Sequence, residues 1–436
     1  MTSSAASKTG AHWSLRVVVL VFVGLLTYGS YFAYDSVGAL APTLIKAWGT
    51  SQSGIGWLYT IYSVAAIFSV FFGGMLTDRI GTRRASLIFS TLIVAGAGMV
   101  ALSSSVPLAS VGRFVFGAGS ESLVVAQNAI LARWFTGRML AMSFGITLAL
   151  ARLGTLFSFN TMSLTANRFG WRGALWVAAG LCLASLGANI VYYMLDKANE
   201  KRLGLAETAA GDKIVFADIR KFGAPYWYVV ALCVTFYSAI FPFTALSTDF
   251  FHEKWNLPLS VDSGSLGFVS AAFQDFMHMF STAPGTSSII IFASMCFAPF
   301  AGGLVDRIGR RTSLMILGAL LMIPCYLLLA FSSVSPALPM ILLGAAFVLV
   351  PAAMWPAVPL IVEKNRVGTA FGLMTMIQNI GLAAFPVLNG WLREWTKDYR
   401  ASMVMFALLG CVGLVFAILL KRADGRAGHV LERSRS

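Results

Sequence analysis

Two residues carry the chemistry that this chain advertises. Glu121 and Arg152 each stand near the middle of a long apolar run within residues 112–154, and a short basic turn joins the runs. An ionised side chain at the centre of a membrane-length segment costs about 2.5 to 3.5 kcal/mol, so such residues face water, a ligand or each other. A carboxylate accepts from an ammonium group, and a guanidinium offers a planar fork that matches a carboxylate. The pair therefore suits a grip on both ends of a zwitterionic solute. It equally suits a buried ion pair that ties two helices together.

The runs that position these residues belong to a chain of 436 residues that is 58% hydrophobic and 11% charged, with a mean hydropathy of +0.77. Soluble domains carry about 25% charged residues. Apolar stretches of about 20 residues, the length that crosses a bilayer core, recur throughout. The predicted fold class is an all-α polytopic membrane protein with 12 transmembrane helices in two six-helix bundles. Residues 1–16 read as a cytoplasmic N-terminus and 17–195 as the first bundle. Residues 196–224 are a charged cytoplasmic linker, 225–420 the second bundle, and 421–436 a basic cytoplasmic tail expected to be disordered. An extracytoplasmic stretch at about 253–283 follows the seventh span. Within it Leu266, Val269, Phe273, Phe276, Met277 and Phe280 recur at helical spacing, which predicts a short amphipathic helix at the interface.

A net charge of +14 raises the question of nucleic acid, and its distribution answers it. Of 32 Lys and Arg, 23 fall on one side of the predicted membrane and 7 on the other, with Arg113 and Arg152 inside it. That is the positive-inside pattern. It places both termini in the cytoplasm, makes the lipid bilayer the partner and leaves no case for nucleic acid. The five cysteines lie in apolar spans without metal or disulfide spacing. No nucleophile–base pairing or phosphate loop is present, so no enzyme activity, cofactor or metal is expected.

Two internal matches set the architecture. Asp78-Arg79-Ile80-Gly81 recurs as Asp306-Arg307-Ile308-Gly309, and Phe144-Gly145 recurs as Phe371-Gly372, which puts Arg152 opposite Asn379. Parallel repeats of this kind are related by an axis along the membrane normal, with a substrate site near the midplane between them. The loop after the second span, with Gly74, Leu76, Asp78, Arg79, Gly81, Arg83 and Arg84, resembles the signature of the major facilitator superfamily. The counterpart, Gly302 through Arg311, includes Asp306, Arg307, Gly309, Arg310 and Arg311. These residues read as a structural and gating motif. Arg113, Gly117 and Gly119 match a second superfamily pattern, with Arg113 a structural partner for a neighbouring span.

Within that superfamily, segments such as 31–35, 112–128, 149–154, 354–358 and 368–383 are similar to the animal lysosomal dipeptide transporters over nearly the whole chain, except near 260–284. The resemblance implies a dipeptide substrate moved by uniport. It also implies that Glu121 and Arg152 recognise the peptide termini, and it carries over Tyr31, Tyr59, Tyr62, Asn128, Trp355 and Asn379 by position. Other readings come from spacing. Tyr59 and Tyr62 are three apart on one helix face. Asn128 stands seven residues after Glu121. Gln378 and Asn379 are adjacent amides, of which one is expected to face a cavity. Trp355 sits among Pro351, Pro356 and Pro359, where it gates a kinked helix or simply packs. Asp249 and His252 read as solvated helix-end residues. No dileucine signal is visible in the N-terminal segment, so a prokaryotic homologue in the plasma (inner) membrane, acting as a monomer, is expected. A proton-coupled transporter of amino acids or small organic anions is the alternative, and a transporter-like sensor or scaffold a further one.

Overall fold

The computed structural model describes residues 3–135, 138–203, 216–261, 267–363 and 366–433. Among the described residues the regular structure is helical throughout. The first half comprises α1 (Ser3–Ala39), α2 (Ala41–Trp48), α3 (Gln52–Ile80), α4 (Thr82–Leu102), α5 (Val106–Trp134) and α6 (Arg138–Leu203). The second comprises α7 (Ala224–Trp255), α8 (Phe268–Met277), α9 (Ala283–Ile308), α10 (Arg311–Phe331), α11 (Ala337–Met354), α12 (Val358–Ile361), α13 (Val367–Thr396) and α14 (Arg400–Arg426).

Eleven of these stretches are long and apolar enough to cross a membrane, and α6 does so twice. Its helix breaks at Gly170, with φ 73° and ψ 164°, a conformation that glycine adopts at little cost. The arm before the break runs alongside α1 in the same direction. Gly154 abuts the Tyr28 carbonyl, and the Ser158 hydroxyl donates to the Phe32 carbonyl at 2.8 Å. The arm after it returns, with Gly29 against Leu181 and Ser185. The protein is thus a multi-pass membrane protein, with twelve apolar crossings among the described residues.

The sequence repeat is also a structural one. α3 ends at Gly81 (φ 80°) and α9 at Gly309 (φ 69°), and a new helix starts within two residues of each. Arg79, Arg83, Arg84, Arg307, Arg310 and Arg311 flank these two turns and make this the basic face of the protein. Tight glycine packing holds the first bundle. A Cβ on Gly117 would lie 2.7 Å from the Tyr62 carbonyl oxygen, so α5 touches the α3 backbone.

The halves meet chiefly along two seams, with α7 also touching α1, α2 and α3. On one, α3 and α13 run antiparallel, with Gly390 against Gln52 and Ser53, Gly56 against Pro386, and the Thr60 hydroxyl donating to the Ala383 carbonyl at 2.5 Å. On the other, the first arm of α6 meets α9, where the Asn160 amide donates to Ser288 at 2.8 Å. These contacts run from mid-bundle toward the face opposite the basic one.

Three segments depart from expectation. The second arm of α6 continues past 195 to Leu203, and α14 continues to Arg426. The tail is ordered through residue 433 rather than disordered. Leu431 is buried, its amide donates to the Asp424 carboxylate at 2.9 Å, and the Glu432 carboxylate accepts from the Ser313 amide at 3.0 Å. Glu432 thereby serves the open N–H groups at the start of α10. Burial alone would raise its carboxyl. Hydrogen bonds from Thr312 and Ser313, with Lys421 alongside, hold it below its usual 4.5. The expected interface helix exists as α8, although Leu266 lies outside the described residues. Val269, Phe273 and Met277 are exposed on one stripe, while Phe276 packs edge-on against Phe292 of α9.

Candidate functional site

Glu121 sits on α5, partly exposed, and the Tyr62 hydroxyl of α3 donates to its carboxylate at 2.7 Å. Tyr62 is braced edge-on by Tyr34 at 4.7 Å. An ionised carboxylate has about four acceptor positions, and Tyr62 fills one. Arg152 stands on the first arm of α6. It donates to the Ser294 hydroxyl of α9, and its guanidinium lies 4.6 Å from the centre of the Phe347 ring on α11. A residue of the first half is therefore seated on two helices of the second. Glu121 and Arg152 form no ion pair with each other among the described residues. Tyr31 of α1 lies within electrostatic reach of both.

The second half contributes neutral groups. The Trp355 indole N–H donates to the Tyr237 hydroxyl at 3.0 Å, and Tyr237 lies within electrostatic reach of Arg152 and Tyr31. Tyr237 stacks on Phe241, which meets Phe347 edge-on, so the aromatic wall extends to the ring beneath Arg152. Gln378 accepts from the Cys233 thiol at 3.4 Å, one helical turn from Tyr237. Asn379 is buried and bonded to its own helix through Thr375 at 3.0 Å. Of the two amides, Gln378 is the one left accessible.

Other expected residues fall elsewhere. Tyr59 is buried and belongs with Arg113, whose guanidinium lies 4.8 to 5.6 Å from the ring centres of Tyr34, Tyr59, Tyr62 and Phe116. Arg113 donates to the backbone carbonyls of Leu58 and Tyr34 at 3.4 and 3.3 Å, so it ties α5 to α3 and α1. Its position supports Tyr62, hence Glu121, from behind. Asn128 is exposed two turns along α5, about 10 Å from Glu121 by helical rise. Asp35, on α1, is buried and accepts from Thr155 at 2.6 Å.

On the basic face, Gly74 lies in the last turns of α3, and Asp78, Arg79 and Arg84 are exposed around the Gly81 turn. Arg83 pairs with Asp196 at 3.3 Å, which also holds Arg133 at 2.9 Å and the Trp134 indole at 2.7 Å. Asp196 is fully buried, although it stands at the start of the expected solvated linker. In the repeat, Arg307 and Arg310 are exposed and Arg311 is buried, while the Asp306 side chain lies outside the described residues. Asp249 corrects its reading as a solvated helix end. It is buried and accepts from Tyr399 at 2.5 Å and from Gln52 of the other half at 3.1 Å. Sequence reasoning missed Ser294, Phe347 and Tyr237. Only Tyr237 left a trace, as a hydroxyl-bearing aromatic midway along a span.

Comparison with known proteins places the fold and the family. The profile of the Major Facilitator Superfamily matches residues 20–283 and 262–435. The lysosomal dipeptide transporter MFSD1 of Danio rerio is 33% identical over 427 residues, covering 95% of this chain and 88% of that one. The Homo sapiens protein of the same name is 32% identical, covering 94% and 87%. Among solved structures, the peptide transporter POT in complex with sulfate matches with a TM-score of 0.71 at 14% identity, over 95% of this chain and 96% of that one.

Proposed function

Because the chain belongs to the major facilitator superfamily, we propose that it moves small zwitterionic solutes, dipeptides foremost, through the seam between its halves by alternating access and uniport. The observation that carries this reading is that Glu121 and Arg152 form no ion pair among the described residues. Two opposite charges near the middle of the bundle stand on neighbouring elements, each held by neutral partners, with Tyr31 within electrostatic reach of both. A dipeptide brings one ammonium and one carboxylate no more than about 7 Å apart. Bound there, it neutralises both residues at once. The guanidinium fork retains donors for a carboxylate after its bond to Ser294. Tyr237, Trp355 and Gln378 supply the opposite wall. The relatives named for dipeptide transport support the same substrate class.

The basic face is the cytoplasmic one by its charge, which puts the inter-half contacts at the outer end and leaves the site to open inward. The chain works as a monomer in the plasma membrane in this reading. Purified protein screened for thermal stabilisation against dipeptides, single amino acids and organic acids tests the assignment, since a ligand of the folded state raises its unfolding midpoint. Stabilisation by free dipeptides above the other classes is expected. Preferential stabilisation by amino acids or organic anions supports the alternative cargo, and no stabilisation by any class supports the sensor or scaffold.

A further inference from the structure

The two seams between the halves are built differently. Where α6 meets α9 the described bond near the outer end is neutral, Asn160 to Ser288 at 2.8 Å, and Asn167 of the same arm donates to Ser260 of the segment after α7 at 2.7 Å, also neutral. Where α3 meets α13 they involve carboxylates. Helix α3 begins with Ser51 at its N-cap, and no side chain of its own closes that end. The backbone N–H of Ser53 instead donates to the Glu394 carboxylate of α13 at 2.7 Å, with the hydroxyls of Ser51 and Ser53 directed at the same carboxylate. One residue earlier, the Gln52 amide donates to Asp249 of α7, which also takes the Tyr399 hydroxyl. Gly390 permits the approach: a Cβ there would lie 2.4 Å from the Ser53 nitrogen.

An anion at a helix N-terminus is stabilised both by the open N–H groups and by the helix dipole. Such a cap normally comes from the residue just before the helix. Here it comes from the other half of the molecule. We propose that Glu394 is a latch across the halves, capping α3 only while the outer end is closed, and that Asp249 with Gln52 forms its second point. Opening outward uncaps α3 and returns Glu394 to water, so the charged cap sets the population of the outward-open state. These are positioning residues for transport, since neither belongs to the group around Glu121 and Arg152. Arg393 and Glu253, paired at 2.9 Å on the same face, both belong to the second half and do not cross the seam.

The inference rests on alternating access, and the test separates the two. Spin labels at Leu102→Cys and Val334→Cys, in a background without the native cysteines, report the distance between the halves at the outer face. In reconstituted protein, Glu394→Gln keeps the shape and loses the charge. It is expected to raise the ratio of long to short distances by about tenfold, with Gln52→Leu shifting it in the same direction. Glu253→Gln, which removes a charge without touching the seam, is expected to leave the wild-type distribution. A Glu394→Gln distribution equal to wild type overturns the latch, as does an equal shift from Glu253→Gln. If the wild type itself shows one distance with and without dipeptide, alternating access fails and the latch fails with it.

Discussion

Replacing Glu121 by Gln isolates one end of the proposed clamp. The carboxylate keeps one described partner, the Tyr62 hydroxyl at 2.7 Å, and its remaining acceptor positions stand open to a ligand. Gln is nearly the same shape and can still accept from Tyr62, so the helix contacts survive. What disappears is the attraction to an ammonium group. Hydrogen bonds to charged groups contribute about 1.5 to 3 kcal/mol, which corresponds to a loss of roughly 10- to 150-fold in affinity. The assay is calorimetric titration of wild type and variant with a free dipeptide and with its N-acetylated form. The free dipeptide should lose affinity in that range, while the acetylated one, which has no ammonium to lose, binds both proteins alike. Equal loss for both ligands would show that Glu121 supports the fold rather than the amino terminus. No loss for either would remove it from the site.

Further predictions follow from neighbouring geometry. Gly117→Ala places a Cβ 2.7 Å from the Tyr62 carbonyl and 3.1 Å from its ring, so it should displace Tyr62 and weaken dipeptide binding along with thermal stability. Normal binding in that variant would mean that Tyr62 does not hold Glu121 in place. The Glu432 carboxyl lies below its usual 4.5 in the folded chain, so its contribution to tail docking is complete above that pH and is lost as pH falls through the lower folded value. Hydrogen exchange of the Ser313 amide should therefore stay slow at neutral pH, and Glu432→Gln should speed it there; unchanged protection would detach the tail from this role. Spin labels at Val269, Phe273 and Met277 of α8 should be accessible to oxygen and shielded from a polar nickel reagent, as lipid-facing positions are, whereas the reverse would place α8 in water.

The parts of the fold that were legible depend on local composition. Apolar runs of membrane length, the glycine turns at Gly81 and Gly309 and the opposed charges at Glu121 and Arg152 are visible because each stands out against its neighbours. The partners of those charges are not visible. Ser294 and Phe347 come to Arg152 from 142 and 195 residues away, and a serine or phenylalanine in an apolar helix carries no mark of what it meets. Acidic residues at span ends misled for a related reason. Asp196 and Asp249 sit where solvated carboxylates are common, and their burial is set by Arg133, Trp134, Tyr399 and Gln52, all distant in sequence. The tail reads as disordered because Glu432 gains its structure only from the start of α10, 119 residues earlier. Adjacent Gln378 and Asn379 look alike in the sequence, and only the rotation of α13, which turns Asn379 onto its own backbone, separates them.

The most direct test of the whole account is flux. Protein reconstituted in liposomes and given a labelled dipeptide should take it up saturably, with or without a pH gradient, until the inside and outside concentrations match. Unlabelled free dipeptides should compete, and dipeptides blocked at both ends should not. Accumulation driven only by a proton gradient would contradict uniport. Uptake of doubly blocked peptides as fast as free ones would contradict the two-ended clamp of Glu121 and Arg152.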